Sequence, residues 1–493
     1  MTASRKRLIL AACILGSTVV TVDSTVVNVA LPAIRDDLGG GFAGQQWTTN
    51  AYLVTLASLI LVAGSLGDIF GARRVFSAGL AAFGATSALC ALAPTIETLV
   101  LARALQGVAG ALLTPAALAI IVTTFSEDER GRAVGAWTAW GAIGFVIGPL
   151  IGGQLVDMAS WRWIFAINVP LVIGTFLLIA RVVPRGGAGK AGGARVDGWG
   201  GALCGLGLAA GTFGLIRQPA VGFGDPTVFL PLSAGLVLFA CFLAYETRIS
   251  HPMLPLPLFR RHNFAIGNLE TFLMYAGLSL LSFFLVLFLQ QSAGYSAVAA
   301  GTALTPVTIV LFLFSTRFGA LADRFGPRLF MGAGPLVAAA GMVLLTRLGS
   351  DARYLTDLLP PLLVFALGLS MTVAPLTATV LSGADERNAG IASGVNNAIA
   401  RLAGLLGIAA VGAIVAARYG DSADSSEGAF HLAMAISAGL VAAGGLLGMF
   451  IRNPPRKVDA SDCPGGQLSG IPREAAEHSH HSHNPRRETV EAR

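Results

Sequence analysis

Fourteen apolar runs, each long enough to cross a hydrocarbon layer, dominate this 493-residue chain. A hydrocarbon core of about 30 Å needs about 20 apolar residues per helix. Runs of that size occupy 8–31, 46–66, 75–94, 98–122, 133–154, 163–181, 198–216, 227–245, 265–289, 299–316, 328–346, 355–380, 389–416 and 429–451. In lipid, each segment must satisfy its own backbone polar groups, so each run is expected to be a helix. The expected fold class is an all-α membrane protein with fourteen transmembrane helices. Composition agrees: 54% of residues are apolar and 12% charged, against about 25% charged in soluble domains. The mean hydropathy is +0.71.

The first run follows Arg5, Lys6 and Arg7 but is too long for a signal-peptide core and has no clear cleavage site, so it reads as helix 1. The five cysteines (Cys13, Cys90, Cys204, Cys241, Cys463) form no CxxC pair, which implies neither a disulfide frame nor a zinc site. A net charge of +6 invites a nucleic-acid partner. The charges punctuate apolar runs and build no basic face, so no nucleic acid is expected.

The basic residues also orient the chain. With the N-terminus inside, eighteen Lys and Arg fall in inner loops and six in outer loops. Cytoplasmic loops are enriched in these residues. The bias persists to the end of the chain, so both termini are expected in the cytoplasm. Arginine outnumbers lysine 30 to 3, consistent with a GC-rich bacterial genome and hence a bacterial plasma membrane.

Two loops repeat. Gly64, Leu66, Asp68, Phe70, Gly71 and Arg73 follow the second run as G-x-L-x-D-x-F-G-x-R. Gly319, Leu321, Asp323, Phe325, Gly326 and Arg328 repeat that pattern 255 residues later. A second echo sets Thr114, Pro115 and Asp128–Arg130 against Ala374, Pro375 and Asp385–Arg387. Helices 1–6 and 9–14 are therefore expected to be two pseudo-symmetric six-helix halves around an inserted pair, a 6+2+6 order. The expected division is 1–185, 186–246 (a glycine-rich linker and helices 7–8), 247–451, and a polar tail 452–493. That tail, with His478, His480, His481 and His483, reads as disordered rather than as a metal site. Parallel six-helix halves are a transporter architecture with the substrate site between them at mid-membrane.

Five motifs in chain order resemble the major facilitator superfamily, in particular its fourteen-helix drug:proton antiporter branch. They are 23–32 (Asp23, Thr25, Asn28, Pro32), the loop from Gly64 to Arg74, Arg103 with Gln106 and Gly107, the glycine motif 144–153, and 161–170 (Trp161 to Pro170). Ile69 and Ala72 depart from the basic residues common in the family's first loop motif. The resemblance covers about 8–451. It implies a major facilitator fold and a secondary active transporter, not an enzyme. It also implies that the face of Gly144, Gly148, Pro149, Gly152 and Gly153 seals the cavity against proton leak.

Charges inside helices are functional candidates by default. Asp23 lies about 24 Å along helix 1 at 1.5 Å per residue, and Arg103 lies near the start of helix 4. The pair reads as a proton site, or else as a structural ion pair. Glu270, near one end of helix 9, is a second candidate for coupling, or a snorkelling side chain. Arg401, in mid-helix 13, is expected to pair with a carboxylate or to attract an anionic substrate. Asn28, Gln106, Asn396 and Asn397 offer uncharged hydrogen bonds in the cavity, or glue between helices. Trp137 and Trp140 offer aromatic rings that suit flat cations, or face lipid or neighbouring helices. Gly64, Asp68, Gly71, Arg73 and Arg74, with Asp323, Arg324, Gly326 and Arg328, are expected to form cytoplasmic gating loops.

No GxxxxGK[ST], HExxH or nucleophile elbow occurs. No cofactor or metal is therefore expected beyond protons as the coupling ion. The expected function is proton-coupled export of drugs or antibiotics, with self-resistance as one role. The expected substrate is small, amphipathic or cationic, and the protein is expected to be a monomer. The rival readings are a proton-coupled nutrient symporter on the same scaffold and a non-transporting membrane sensor.

Overall fold

The computed structural model describes residues 3–183, 197–249, 252–382, 389–416 and 423–453. Every regular element among them is helical. In chain order these are α1 (Ala3–Leu38), α2 (Gly41–Phe70), α3 (Ala72–Ala91), α4 (Ile96–Thr124), α5 (Glu127–Met158), α6 (Trp163–Ala166), α7 (Asn168–Val182), α8 (Gly198–Val221) and α9 (Pro226–Glu246). There follow α10 (His262–Gln291), α11 (Ala297–Thr302), α12 (Thr305–Phe325), α13 (Pro327–Leu345), α14 (Leu359–Ser382), α15 (Ala389–Val415) and α16 (Ala423–Gly448).

Two rods are broken, and proline breaks both. Pro170 has no N–H for Ala166, the last residue of α6, and the chain turns at Ile167. Pro306 has none for Thr302, the last residue of α11, and the chain turns at Ala303 and Leu304. Pro115 and Pro375, paired by the repeat, stay inside α4 and α14. Neighbouring helices re-satisfy such freed carbonyls in membrane proteins.

Twelve helices are long and apolar enough to cross a membrane among the described residues. α2 and α5, which carry the runs 46–66 and 133–154, are 30 and 32 residues long but fall outside those twelve. Some of their side chains lie outside the described set. The fold is thus that of a multi-pass membrane protein.

Residues of the first six rods pack on one another: α2 on α4, α1 on α5, and α3 on α4 and α7. The last six do likewise, with α13 on α14 and α16, and α10 on α15 and α16. α8 and α9 pack together, and α8 reaches both α2 and α15. α8 therefore bridges the first group of rods and the last. The linker 186–195 and the tail beyond 453 lie outside the described residues.

The repeat is visible in the backbone. Gly71 ends α2 and opens α3 with φ 90°, and Gly326 ends α12 and opens α13 with φ 91°. Each N–H closes the preceding helix, Gly71 onto Gly67 O at 3.0 Å and Gly326 onto Ala322 O at 2.8 Å. An L side chain is disfavoured at such a φ by about 1–2 kcal/mol. Gly71→Ala and Gly326→Ala should therefore each lower the thermal midpoint in detergent by similar amounts. An unchanged midpoint in either variant would contradict the strained-turn account.

Candidate functional site

Asp23 is fully buried on α1. Arg103, on α4, is 1% exposed and donates from Nη1 to Asp23 Oδ2 at 2.5 Å. Gln106, one turn further along α4, donates to Asp23 Oδ1 at 2.9 Å, and Asn168 at the start of α7 donates to the same oxygen at 3.0 Å. Among the described residues, all three groups that reach this carboxylate are therefore donors. Ser87 on α3 accepts from Gln106 at 2.7 Å and from Asn168 at 3.1 Å. Four helices thus converge on one acidic side chain.

Arg103 has other partners besides Asp23. Its Nε donates to Thr48 O on α2 at 3.1 Å, and Nη1 also meets Gln106 Oε1 at 2.7 Å. Its guanidinium lies over the Tyr52 ring at 4.3 Å and the Phe165 ring at 5.6 Å. A guanidinium with five donors and two aromatic faces keeps some compensation if Asp23 becomes neutral. Gly107 lets α4 come this close to α2. A Cβ there would overlap Tyr52 O and Thr55 Oγ1. Gln106 therefore belongs to the Asp23 cluster, because its position one turn from Arg103 faces α1 and α3 rather than the space between the halves.

In the second half, Glu270 on α10 is fully buried, and among the described residues neither carboxylate oxygen has a hydrogen-bond partner. It faces α16, where a Cβ at Gly448 would lie 3.0 Å from its Oε2 and one at Gly444 would lie 3.8 Å from its Cγ. Burial rather than snorkelling is thus its setting. Asn396 on α15 donates to Asn268 at 3.1 Å and Thr271 at 2.8 Å, both on α10, and so ties these helices together. Asn397 and Arg401 are partly buried on α15. Asn28 on α1 has a buried Oδ1 with no hydrogen-bond partner among the described residues.

The glycine motif of α5 faces two ways. Cβ atoms at Gly144, Gly148 and Gly152 would press on Thr21, Thr25 and Val26 of α1. A Cβ at Gly153 would press on Ala297 and Val298 of α11, and one at Gly301 of α11 would press on Pro149. Asp157, one turn beyond Gly153, caps α11: its Oδ1 accepts from Ala297 N at 3.0 Å and its Oδ2 from Val298 N at 2.9 Å. Gln46 donates to Ile408 O at 2.9 Å, and Gln290 donates to Val29 O at 3.0 Å. These four hydrogen bonds join the halves at the end of the bundle where α1 meets α2 and α5 meets α6.

At the opposite end, the Asp68 side chain lies outside the described residues. Arg73 Nη2 donates to Ala180 O at 3.0 Å, within its own half. Arg74, Asp323, Arg324 and Arg328 are exposed, and Arg324 lies over the Phe325 ring at 5.4 Å. Lys6 pairs with Glu129 at 2.5 Å. The Lys6 ammonium and the Ser126 hydroxyl hold the Glu129 carboxyl down at about 2, below the ordinary 4.5. Any stability from this pair is present above pH 4.5 and lost as pH falls through about 2, so it is no sensor near neutrality.

Of the aromatic candidates, Trp137 is partly buried and donates from Nε1 to Ser17 Oγ at 2.9 Å, while Trp140 is exposed. The sequence reading missed Ser87, Thr48 and Tyr52 altogether. It passed over Asn168 and Asp157 as sites, although Asn168 sits in the 161–170 motif.

The sequence profile of the Major Facilitator Superfamily matches residues 13–408 and 269–472. The chain is 38% identical over 396 residues to the puromycin resistance protein of Streptomyces alboniger, covering 79% of this chain and 78% of that one. It is 35% identical over 415 residues to the cephamycin export protein of Amycolatopsis lactamdurans, covering 84% and 85%. Among solved structures, a bacterial homologue of the human lysosomal transporter Spinster superposes with a TM-score of 0.67 at 16% identity, covering 91% of this chain and 97% of that one.

Proposed function

The chain belongs to the Major Facilitator Superfamily, and from that premise we propose that it exports drugs or antibiotics across a bacterial plasma membrane in exchange for protons. It is a transporter and not an enzyme. The observation that carries the proposal is Asp23, an acid buried on α1 and held by an arginine that has other partners ready. Similarity to resistance and export proteins supports outward movement of the substrate.

In this reading α2 and α5 cross as well, giving fourteen spans, two six-helix halves and both termini in the cytoplasm. The protein acts as a monomer on small amphipathic molecules. The four hydrogen bonds between the halves then lie on the outer side, and the cavity opens to the cytoplasm in this conformer. Substrate enters from inside. A proton from outside reaches Asp23 after the halves rock, Arg103 releases the carboxyl while keeping Gln106, Thr48 and Tyr52, and the cycle resets. Glu270 supports a second protonation step, since an ionised carboxylate buried without donors costs several kcal/mol. The loops at Gly71 and Gly326 gate the inner side. The test is a drug-susceptibility panel in a pump-deficient host. Expression should lower susceptibility to some compounds, and an uncoupler should remove that protection. Protection that survives the uncoupler would refute proton coupling.

The closure depends on Asp157. Asp157→Ala leaves the Ser296 cap of α11 in place but removes the acceptor of its first two N–H groups, and losing such an acceptor weakens a helix terminus by about 1 kcal/mol. The outer side should then open more often, by about fivefold. Disulfide trapping between cysteines placed at the ends of α5 and α11 would measure this, with slower trapping expected. Unchanged trapping would leave Asp157 outside the gate. The topology has its own check: a reporter fused after Arg452 should be active only in its cytoplasmic form, and a periplasmic signal would rule out an even span count.

A further inference from the structure

We propose that Arg401 is the charge-recognising residue of the substrate site, and that the transported class is small aromatic anions. The inference rests on the export reading and specifies the substrate for it.

The face of α15 that carries Arg401 is defined by its neighbours. A Cβ at Gly404 would lie 2.6 Å from Ser279 Oγ on α10. Leu405 packs with Val54 of α2 and Leu208 of α8. Ile408 accepts the hydrogen bond of Gln46 from α2. Residues three and four apart share a helix face, so Arg401 lies on the side between α2 and α10, where the two halves meet. It lies two turns from Ile408, on the side away from the closed end. Tyr275 of α10 lies one turn from Thr271, which Asn396 bonds, and one turn from Ser279, which Gly404 approaches, so it shares the α10 face that meets this part of α15.

The two buried-helix arginines are opposites. Arg103 has a carboxylate, an amide oxygen, a backbone carbonyl and two rings. Arg401 makes no hydrogen bond or ion pair among the described residues. Asp23 is taken by Arg103. Glu270 is turned toward Gly444 and Gly448 of α16. An arginine cannot shed its proton in a protein, so its charge needs a counter-ion from elsewhere. A carboxylate or acidic phenol on an entering molecule supplies it, and a guanidinium binds such groups in a bidentate fork. Asn397, one turn earlier on the same face, adds an amide, and the Tyr275 ring adds an aromatic wall. This narrows the amphipathic class toward anions and away from the flat cations that Trp137 and Trp140 suggested.

The full-length protein in proteoliposomes with an imposed pH gradient tests this, with 5-carboxyfluorescein as anionic probe and ethidium as cationic probe. Wild type should move 5-carboxyfluorescein in preference to ethidium. Arg401→Gln should lose about tenfold to a hundredfold of that transport, the effect of one lost charged hydrogen bond. Arg401→Lys, which keeps the charge without the fork, should retain part of it. If Arg401→Gln does not fold, the preference of wild type between the dyes and the partial loss in Arg401→Lys still decide. Movement of ethidium alone would leave export standing and overturn the anion assignment. Undiminished 5-carboxyfluorescein transport by Arg401→Gln would overturn it too. Movement of neither dye would count against both readings.

Discussion

Asp23→Asn inserts and folds but loses export against a concentration gradient. Asparagine keeps the size of the side chain and one acceptor for Arg103, but it cannot take up or release a proton. The variant resembles the protonated step of the cycle, which the folded protein must tolerate. Arg103 still has Thr48 O, Gln106 Oε1 and the rings of Tyr52 and Phe165. Export driven by a pH gradient should fall to the level of empty vesicles, while exchange of labelled for unlabelled substrate continues. Asp23→Glu should keep part of the uphill activity, since the group still ionises. Wild-type uphill export by Asp23→Asn would shift the proton to Glu270. Loss of folded protein in the same variant would instead make the pair structural.

Arg103→Ala should be the most damaging single change to the fold. Arg103 heads the largest fully buried side chains. Its removal empties that volume, leaves Asp23 without its cation, and frees Thr48 O. Removing one partner of a buried ion pair costs about 3–5 kcal/mol. The thermal midpoint and the yield of monodisperse protein should both drop, and transport should be lost. Combining it with Asp23→Asn should recover part of the stability, because no unpaired charge then remains buried. A double-mutant cycle measures that coupling. An unchanged midpoint in Arg103→Ala would mean that the pair contributes little to the fold.

The charged candidates were legible in the sequence because a charge inside an apolar run stands out. Asp23, Arg103, Glu270 and Arg401 were all found in this way. Thr48 was not, because it joins through its backbone carbonyl while its hydroxyl bonds Gly44 O of its own helix. Ser87 and Asn168 were not, since an uncharged polar residue in a membrane helix looks the same whether it bonds its own backbone or a partner. Only the convergence of α1, α3, α4 and α7 distinguishes them. Asp157 was hidden for a related reason: its partners are the bare N–H groups of α11, 140 and 141 residues away, and backbone has no signature. The repeat was legible because Gly71 and Gly326 occupy a backbone conformation that few other residues accept. The ends of α1 were not, since helix continues through polar residues past the apolar run, to Leu38 rather than 31.

The central claim is that a proton carried on Asp23 is exchanged for an outgoing substrate. Simultaneous recording of dye efflux and internal pH in proteoliposomes tests it most directly, using 5-carboxyfluorescein or ethidium, whichever the wild type exports, beside a separate pH-sensing dye. Wild type should move protons in step with the dye, in the opposite direction and only while the dye moves. Asp23→Asn should show downhill dye movement with no accompanying proton flux. Proton flux coupled to the dye in Asp23→Asn, at the wild-type ratio, would contradict the account.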